Sequence, residues 1–427
     1  MTTENRIDNI LNDLVSSGSN IPYLKELRTK CLYIINRYHE LEDVLFSIIS
    51  EVERESITFI NKKNTDKNFL ISGLSTGIYF PDSEYGSFKY ILTKGYRSRS
   101  SDEEINFNTL FDVASITKLY TLLLAFKLEE LGLINLDDKV KDVNPDFKHL
   151  DNYTFNDLIK LFGELRTDGN IVESTSYEEA QERFKSLYIV NDDKTKINYN
   201  DFGSMVIGDT IEKIISNYIG KNIKLDEIMY MYLFRPLNIK NTCFTPKTNN
   251  LSGNGYSYNM PHDPKSRMLG GITGHAGIFT NSEDLMKLSD GLFMNKFLNE
   301  EHLSRLSEAN IENAFKGNMG LFLKHPLGYE VTFNPMEYSN SSFTAQGWTG
   351  GIASFDLRNK IHNNILVNAI IDDDKDKIYN NKPIGFSEAF DHYQINVVKK
   401  IMLMFVMKKY YNKYCDTKEE ITLKKSL

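Results

Sequence analysis

Phe111-Asp112-Val113-Ala114-Ser115-Ile116-Thr117-Lys118 is the stretch on which the fold and chemistry of this chain turn. It opens a run of helical periodicity from Ser115 to Leu131, which Gly132 stops. Residues three apart on a helix share a face, so the Ser115 and Lys118 side chains can meet. A serine hydroxyl is a weak nucleophile until a neighbour accepts its proton, and a desolvated lysine can do that. A place in the first turn also brings backbone N–H groups and the positive helix end near a developing oxyanion. Ser-x-x-Lys is only four letters, however, and it also reads as a helix-capping serine followed by a solvated lysine.

A second serine competes with it. Gly73-Leu74-Ser75-Thr76-Gly77 matches a G-x-S-x-G nucleophile elbow in letters, but the elbow needs a strand, a sharp turn and then a helix. Here Gly77-Ile78-Tyr79-Phe80 continues as a strand into the turn Pro81 to Gly86, so Ser75 lacks the required context.

Working outward, residues from Asn5 to Glu55 read as helices. Ile7, Ile10, Leu11 and Leu14 recur at helical spacing, and a break at Ser16 to Pro22 separates two of them. Two readings of this segment stand, a packed extension and an arm that binds a protein partner. Phe69 to Phe80 and Tyr90 to Gly95 read as strands, helices and loops dominate to Pro261, and strand-like stretches return at Gly328 to Phe333, Gly351 to Phe355 and Asn363 to Ile371. An amphipathic helix from Tyr393 to Tyr414 closes the pattern. This order predicts an α+β architecture, with a sheet built from both ends of the chain and a helical lobe inserted between. The expected division is a helical extension over 1–60 and a main domain over 61–427, with a sheet lobe (61–114 and 278–427) and a helical lobe (115–277).

Bulk properties narrow the class. The 427 residues are 41% hydrophobic and 25% charged, an ordinary globular balance. The net charge of −8 is spread without a basic stripe, which argues against a nucleic-acid partner. Cys31, Cys243 and Cys415 fit neither a disulfide framework nor a zinc motif and point to a reducing compartment. Met1 to Asn12 lacks the apolar core of a secretory signal, and Ile401 to Met407 is too short to cross a bilayer. The expectation is a soluble cytoplasmic protein with no membrane span.

Around Ser115 the pattern extends beyond four letters. Leu110 to Lys118, followed by Leu128-Glu129-Glu130-Leu131-Gly132-Leu133-Ile134-Asn135-Leu136-Asp137-Asp138-Lys139-Val140, resembles the serine β-lactamase and penicillin-binding-protein superfamily. The nearest part is its class C-like branch of esterases, D-aminopeptidases and DD-peptidases. Leu269-Gly270-Gly271-Ile272-Thr273-Gly274-His275-Ala276-Gly277-Ile278-Phe279-Thr280 is similar to the Gly-rich block of that branch. The resemblance covers roughly Phe69 to Tyr411. It implies a β-lactamase/transpeptidase-like fold: an antiparallel sheet flanked by helices, an inserted all-helical lobe, and here a helical N-terminal extension.

The resemblance also implies a Tyr-x-Asn element, whose best counterpart is Tyr199-Asn200-Asp201, because Gly208-Asp209-Thr210-Ile211-Glu212 follows it as in the family. A free tyrosine titrates near ~10, so a basic role for Tyr199 requires a cation such as Lys118 beside it. Asp201 stands where Asn is usual. A carboxylate there favours protonated Lys118 and moves the proton-accepting role toward Tyr199, unless Asp201 only caps the next helix. The family's third element, Lys-Thr-Gly or His-x-Gly, falls on Thr344-Ala345-Gln346-Gly347-Trp348-Thr349-Gly350-Gly351, with Ala345 at the basic position and Gly347 at the glycine; an alternative sets Trp348-Thr349-Gly350 on the triplet. Either way the basic residue is absent. Gly347 would let the strand approach a substrate, the Trp348 N–H would complete the oxyanion hole, and Gln346 and the Trp348 ring would border the pocket. Phe162-Gly163-Glu164-Leu165-Arg166 also departs from the His-x-Ser-Gly of many relatives.

The expected function is a serine hydrolase that forms an acyl-enzyme on an ester or amide, with Ser115, Lys118 and Tyr199 catalytic and Asp201, Gln346, Gly347 and Trp348 around the substrate or oxyanion. A β-lactamase or D-Ala-D-Ala carboxypeptidase, and an inactive binding protein that keeps the fold, are the alternatives. His262 and His275 read as structural, and no metal or organic cofactor is expected. The partner would be a small-molecule or peptide substrate.

Overall fold

The computed structural model describes residues 2–62, 71–81, 86–98, 101–195, 197–253, 260–294, 296–307, 319–320, 323–324, 337–369, 388–415 and 420–427. Its main sheet has eight strands: β1 (Gly73–Phe80), β2 (Phe88–Gly95), β3 (Met319–Gly320), β4 (Leu323–Lys324), β5 (Ser342–Gln346), β6 (Ile352–Asp356), β7 (Ile361–Val367) and β8 (Ile421–Ser426). Their order across the sheet is β8-β2-β1-β7-β6-β5-β4-β3, so strands from the two ends of the chain meet where β1 pairs with β7. The pairing is antiparallel except at one edge, where β8 lies parallel to β2. That edge strand, ITLKKS, was not expected: only Ile421 and Leu423 are apolar and Lys424 and Lys425 follow them, and such a pattern reads as solvated chain until a sheet edge receives it.

Both faces of the sheet are covered, which explains why β1 is buried at every position. Alternate residues of a strand point to opposite faces. Leu74 and Ile78 belong to the core shared with the terminal helices. Ser75 and Tyr79 face the helix Ser282–Phe293, through hydroxyl contacts to Ser282 (2.7 Å) and Asp290 (2.9 Å).

The terminal helices are α1 (Thr3–Ser16), α2 (Leu24–Arg37), α3 (Leu41–Asn61) and a long helix, Glu388–Tyr414. Ile7, Ile10, Leu11 and Leu14 of α1 are all buried, as their spacing predicts. The long helix is not simply amphipathic. Ile401 to Lys408 is buried on every side, because the helix lies between α1–α3 and the sheet. Its Tyr393 hydroxyl reaches Ser56 of α3 (2.8 Å) and Thr76 of β1 (2.9 Å), and its ring stacks on Phe59 at 4.6 Å. The apolar faces of α1–α3 are therefore spent inside the chain.

A second core lies around α4 (Thr117–Glu130), which is buried at all of its first ten positions. The lobe around it is mostly helical rather than all-helical, since Glu164–Arg166 pairs with Tyr188–Asn191 in a two-stranded ribbon. A further small sheet joins Leu110–Asp112 to Leu251–Ser252, Cys243–Phe244 and Ile278–Thr280. The expected strand Gly328 to Phe333 lies outside the described residues, as do Phe69, Leu70 and the part of the expected last strand beyond Ala369. Among the described residues no helix is long and apolar enough to cross a membrane, and Cys31, Cys243 and Cys415 are unpaired thiols.

Candidate active site

The strand Leu110–Asp112 delivers the chain to a single 3-10 turn, Ala114–Ile116, before α4 begins. Ser115 thus sits two residues ahead of the α-helix, and the tighter 3-10 winding brings residues three apart nearly into line. Ala114 has φ 44°, a left-handed conformation that costs an L residue about 1–3 kcal/mol. Asp112 holds this turn. Its Oδ1 accepts the Ala114 N–H (2.8 Å), and its Oδ2 accepts the His262 N–H (2.6 Å) and faces His262 Nδ1 (2.9 Å). The Thr349 hydroxyl donates to the Asp112 carbonyl (2.7 Å), which ties the turn to the segment after β5.

Lys118 is 1% exposed, and its ammonium meets Ser115 Oγ at 2.7 Å, Tyr199 OH at 3.2 Å and Asp201 Oδ1 at 2.9 Å. An ammonium has three N–H donors, so these acceptors use all of them. Burial alone would push this lysine down; Asp201, and after it Tyr199, outweigh burial and hold it above the ordinary lysine value. Lys118 is therefore a charged donor at rest. Tyr199 is 42% exposed, so its phenol faces both the lysine and the open side of the site.

Asp201 occupies the N-cap position of the helix Phe202–Ile219, yet its side chain makes no capping bond. Asn200 takes that part, its Oδ1 accepting the Gly203 N–H at 3.1 Å. The Asp201 carboxylate instead lies between two ammonium groups, Lys118 on Oδ1 and Lys265 on Oδ2 (2.6 Å). Burial would raise its pKa, but Lys118, His275 and Lys265 hold it well below the usual carboxylate range. Lys265 escaped the sequence reading. Asp263-Pro264-Lys265-Ser266 does carry a helix-start signal, with Asp at the N-cap and Pro at N1, but nothing local says where the lysine points.

His275 of the Gly-rich block is buried. Its Nε2 meets Asp263 Oδ1 (2.9 Å) and its Nδ1 meets Thr273 Oγ1 (3.0 Å). Burial of Asp263 is overcome chiefly by His275, which lowers the carboxyl to about 2. Gly274 lets this block press against the Phe202–Ile219 helix, since a Cβ there would stand 2.0 Å from the Ser204 carbonyl oxygen. Among the described residues, Asp201, Asp263 and His275 bring three ligand atoms within 4.8 Å of one another. The ammonium groups of Lys118 and Lys265 already take the cation's place at Asp201, which speaks against a metal there.

The third segment reaches the nucleophile turn through backbone. β5 packs on Ala114–Ile116, and a Cβ on Gly347 would meet the Val113 carbonyl oxygen at 2.2 Å, so only glycine fits. Gln346 ends β5 and pairs with Ile352. The Gly347 N–H donates to the Gly351 carbonyl (2.8 Å), which leaves it unable to serve an oxyanion. Among the described residues, the Ser115 and Trp348 N–H groups have no backbone acceptor across turns, loops or caps. Trp348 is 40% exposed, whereas Ala345 is buried in the core.

With this geometry in place, the beta-lactamase family model matches residues 71–380. The chain belongs to the beta-lactamase family. Members of this family are serine hydrolases, and α1–α3 precede the matched residues. A "Putative D-alanyl-D-alanine carboxypeptidase" of Salmonella agona (strain SL483) is 25% identical over 305 residues, which is 61% of this chain and 69% of that protein. A class C beta-lactamase structure superposes with TM-score 0.62 at 16% identity, over 83% of this chain and 96% of that one. The D-amino acid amidase from Ochrobactrum anthropi SV3 does so at 0.58 and 16%, over 83% and 98%. These two likenesses establish the beta-lactamase fold, in agreement with the α+β architecture described above. Within it, Ser75 is a buried mid-strand residue, with no turn into a helix after it.

Proposed function

We propose that the protein is an acyl-transferring serine hydrolase of esters or amides, with Ser115 as nucleophile. The observation that carries this reading is the Lys118 ammonium held between Ser115 Oγ, Tyr199 OH and Asp201. Tyr199, acting as the phenolate beside that ammonium, takes the Ser115 proton as Oγ bonds to the substrate carbonyl carbon. The carbonyl oxygen becomes an oxyanion held by the N–H groups of Ser115 and Trp348, each lowering the barrier by about 3 kcal/mol. Collapse breaks the bond to the alcohol or amine, which leaves with the proton from Tyr199. Water, deprotonated by the same phenolate, then frees the acyl group from Ser115.

With Ala345 at the usual basic position, no cation is contributed from β5 to a substrate carboxylate. That favours substrates without a terminal carboxylate. The carboxypeptidase reading stands second, supported by the name of the Salmonella relative. The three unpaired thiols suit a cytoplasmic setting, and the outward faces of α1–α3 are where a protein partner would bind.

A substrate panel separates these readings: a p-nitrophenyl ester, a p-nitroanilide, a peptide ending in D-Ala-D-Ala and a chromogenic cephalosporin. The expected result is ester turnover with kcat/KM at least about tenfold above that for the D-Ala-D-Ala peptide. The reverse ranking supports the carboxypeptidase, and no turnover of any member supports a binding protein.

A further inference from the structure

We propose that Lys265 is a positioning residue for the acylation of Ser115. By pairing with Asp201 it keeps a net positive charge beside the Lys118–Tyr199 couple, a charge that Ala345 does not supply from β5. This rests on the acyl-enzyme reading above.

Around Asp201 stand Lys118 from α4, Tyr199 from its own loop, Lys265 from the short helix Pro264–Met268, Asp263 at that helix's N-cap, and His275 from the Gly-rich block. Lys118 and Asp201 alone would cancel. A neutral pair gives the Ser115–Tyr199 proton transfer less electrostatic help than a net cation does. Lys265 on the second carboxylate oxygen restores one positive charge. Asp263 offsets part of this charge, but its Oδ1 is turned to the Ser266 N–H (2.7 Å) and His275 Nε2 (2.9 Å), whereas Lys265 Nζ lies directly on Asp201 Oδ2 (2.6 Å).

The fold fixes Lys265 rather than leaving it to drift. Asp263 and Pro264 set the start of its helix. Gly270 and Gly271, at φ 84° and 86°, turn the chain back, and the Gly271 N–H closes on the Ser266 carbonyl (2.7 Å). The Ser266 hydroxyl donates to the Ala276 carbonyl (3.1 Å) and accepts from the Thr273 hydroxyl (3.1 Å). Lys265 is thus held between two residues that are both bonded to the Gly-rich block. Asp201 and Lys265 behave as a matched pair: each change alone would mis-set the charge at Lys118, and together they balance.

The test is the rate of Ser115 modification by a fluorophosphonate, followed by intact mass across a pH series. It compares the wild type with Lys265→Met, Lys265→Arg, Asp201→Asn and the double variant Asp201→Asn/Lys265→Met. A cation favours the deprotonated couple, so Lys265→Met is expected to move the rising limb up by about one pH unit, roughly a tenfold loss below the limb. Lys265→Arg should restore the wild-type midpoint, Asp201→Asn should lower it, and the double variant should return it toward the wild-type value. If Lys265→Met does not fold, the double variant against Asp201→Asn carries the same comparison. A Lys265→Met profile that is lowered equally at every pH, or left unmoved, overturns the inference while leaving the Ser115 reading intact. A wild type unmodified at every pH overturns both.

Discussion

Replacing Lys118 by methionine is expected to slow acylation of Ser115 by about a thousandfold at neutral pH, the scale of a lost positioned proton-transfer group. Methionine fills similar space but cannot donate, so Ser115 Oγ, Tyr199 OH and one Asp201 oxygen lose their common partner. Asp201 keeps Lys265, so the carboxylate is not stranded. Because Lys118 and Tyr199 act on one proton, adding Tyr199→Phe to Lys118→Met should cost little more than the larger single change. Pre-steady-state release of p-nitrophenol from an activated ester measures both. Losses that simply multiply would mean that the two residues act separately.

The second large effect concerns Asp112, which acts through the turn that carries Ser115 rather than on the substrate. Its carboxylate accepts two backbone N–H groups and faces the His262 ring, all buried, while it shapes the turn that carries Ser115. Asp112→Ala removes that shared acceptor from the Ala114 N–H, the His262 N–H and His262 Nδ1 and releases the left-handed Ala114. The expected cost is about 3–5 kcal/mol of stability, read as a lower urea midpoint. The folded fraction that remains should acylate slowly, because the nucleophile turn is no longer held. Asp112→Ala with an unchanged midpoint would show that the turn is fixed by other means.

What could be read from the sequence followed from how local each interaction is. Ser115 and Lys118 are three residues apart, so helical geometry alone brings them together, and the structure places their side chains at 2.7 Å. Tyr199 comes from a distant loop. The order of blocks along the chain found it, and its hydroxyl lies 3.2 Å from Lys118. Asp201 had two open readings, cap or site contact. The choice between them depended on Lys265, which lies 64 residues further on and has no spacing rule to link it. The same limit applies to the fold. The apolar spacing of α1 predicts its buried face, but the all-round burial of Ile401 to Lys408 needs neighbours on both sides, which only the tertiary arrangement supplies. Edge strand β8 is likewise defined by its neighbour β2 and not by its own pattern.

Intact mass spectrometry after exposure to a fluorophosphonate tests Ser115 as the nucleophile most directly. One adduct per chain is expected, located by peptide mapping to Ser115 and absent from Ser115→Ala. An adduct that persists in Ser115→Ala, or one that maps to Ser75, would contradict it.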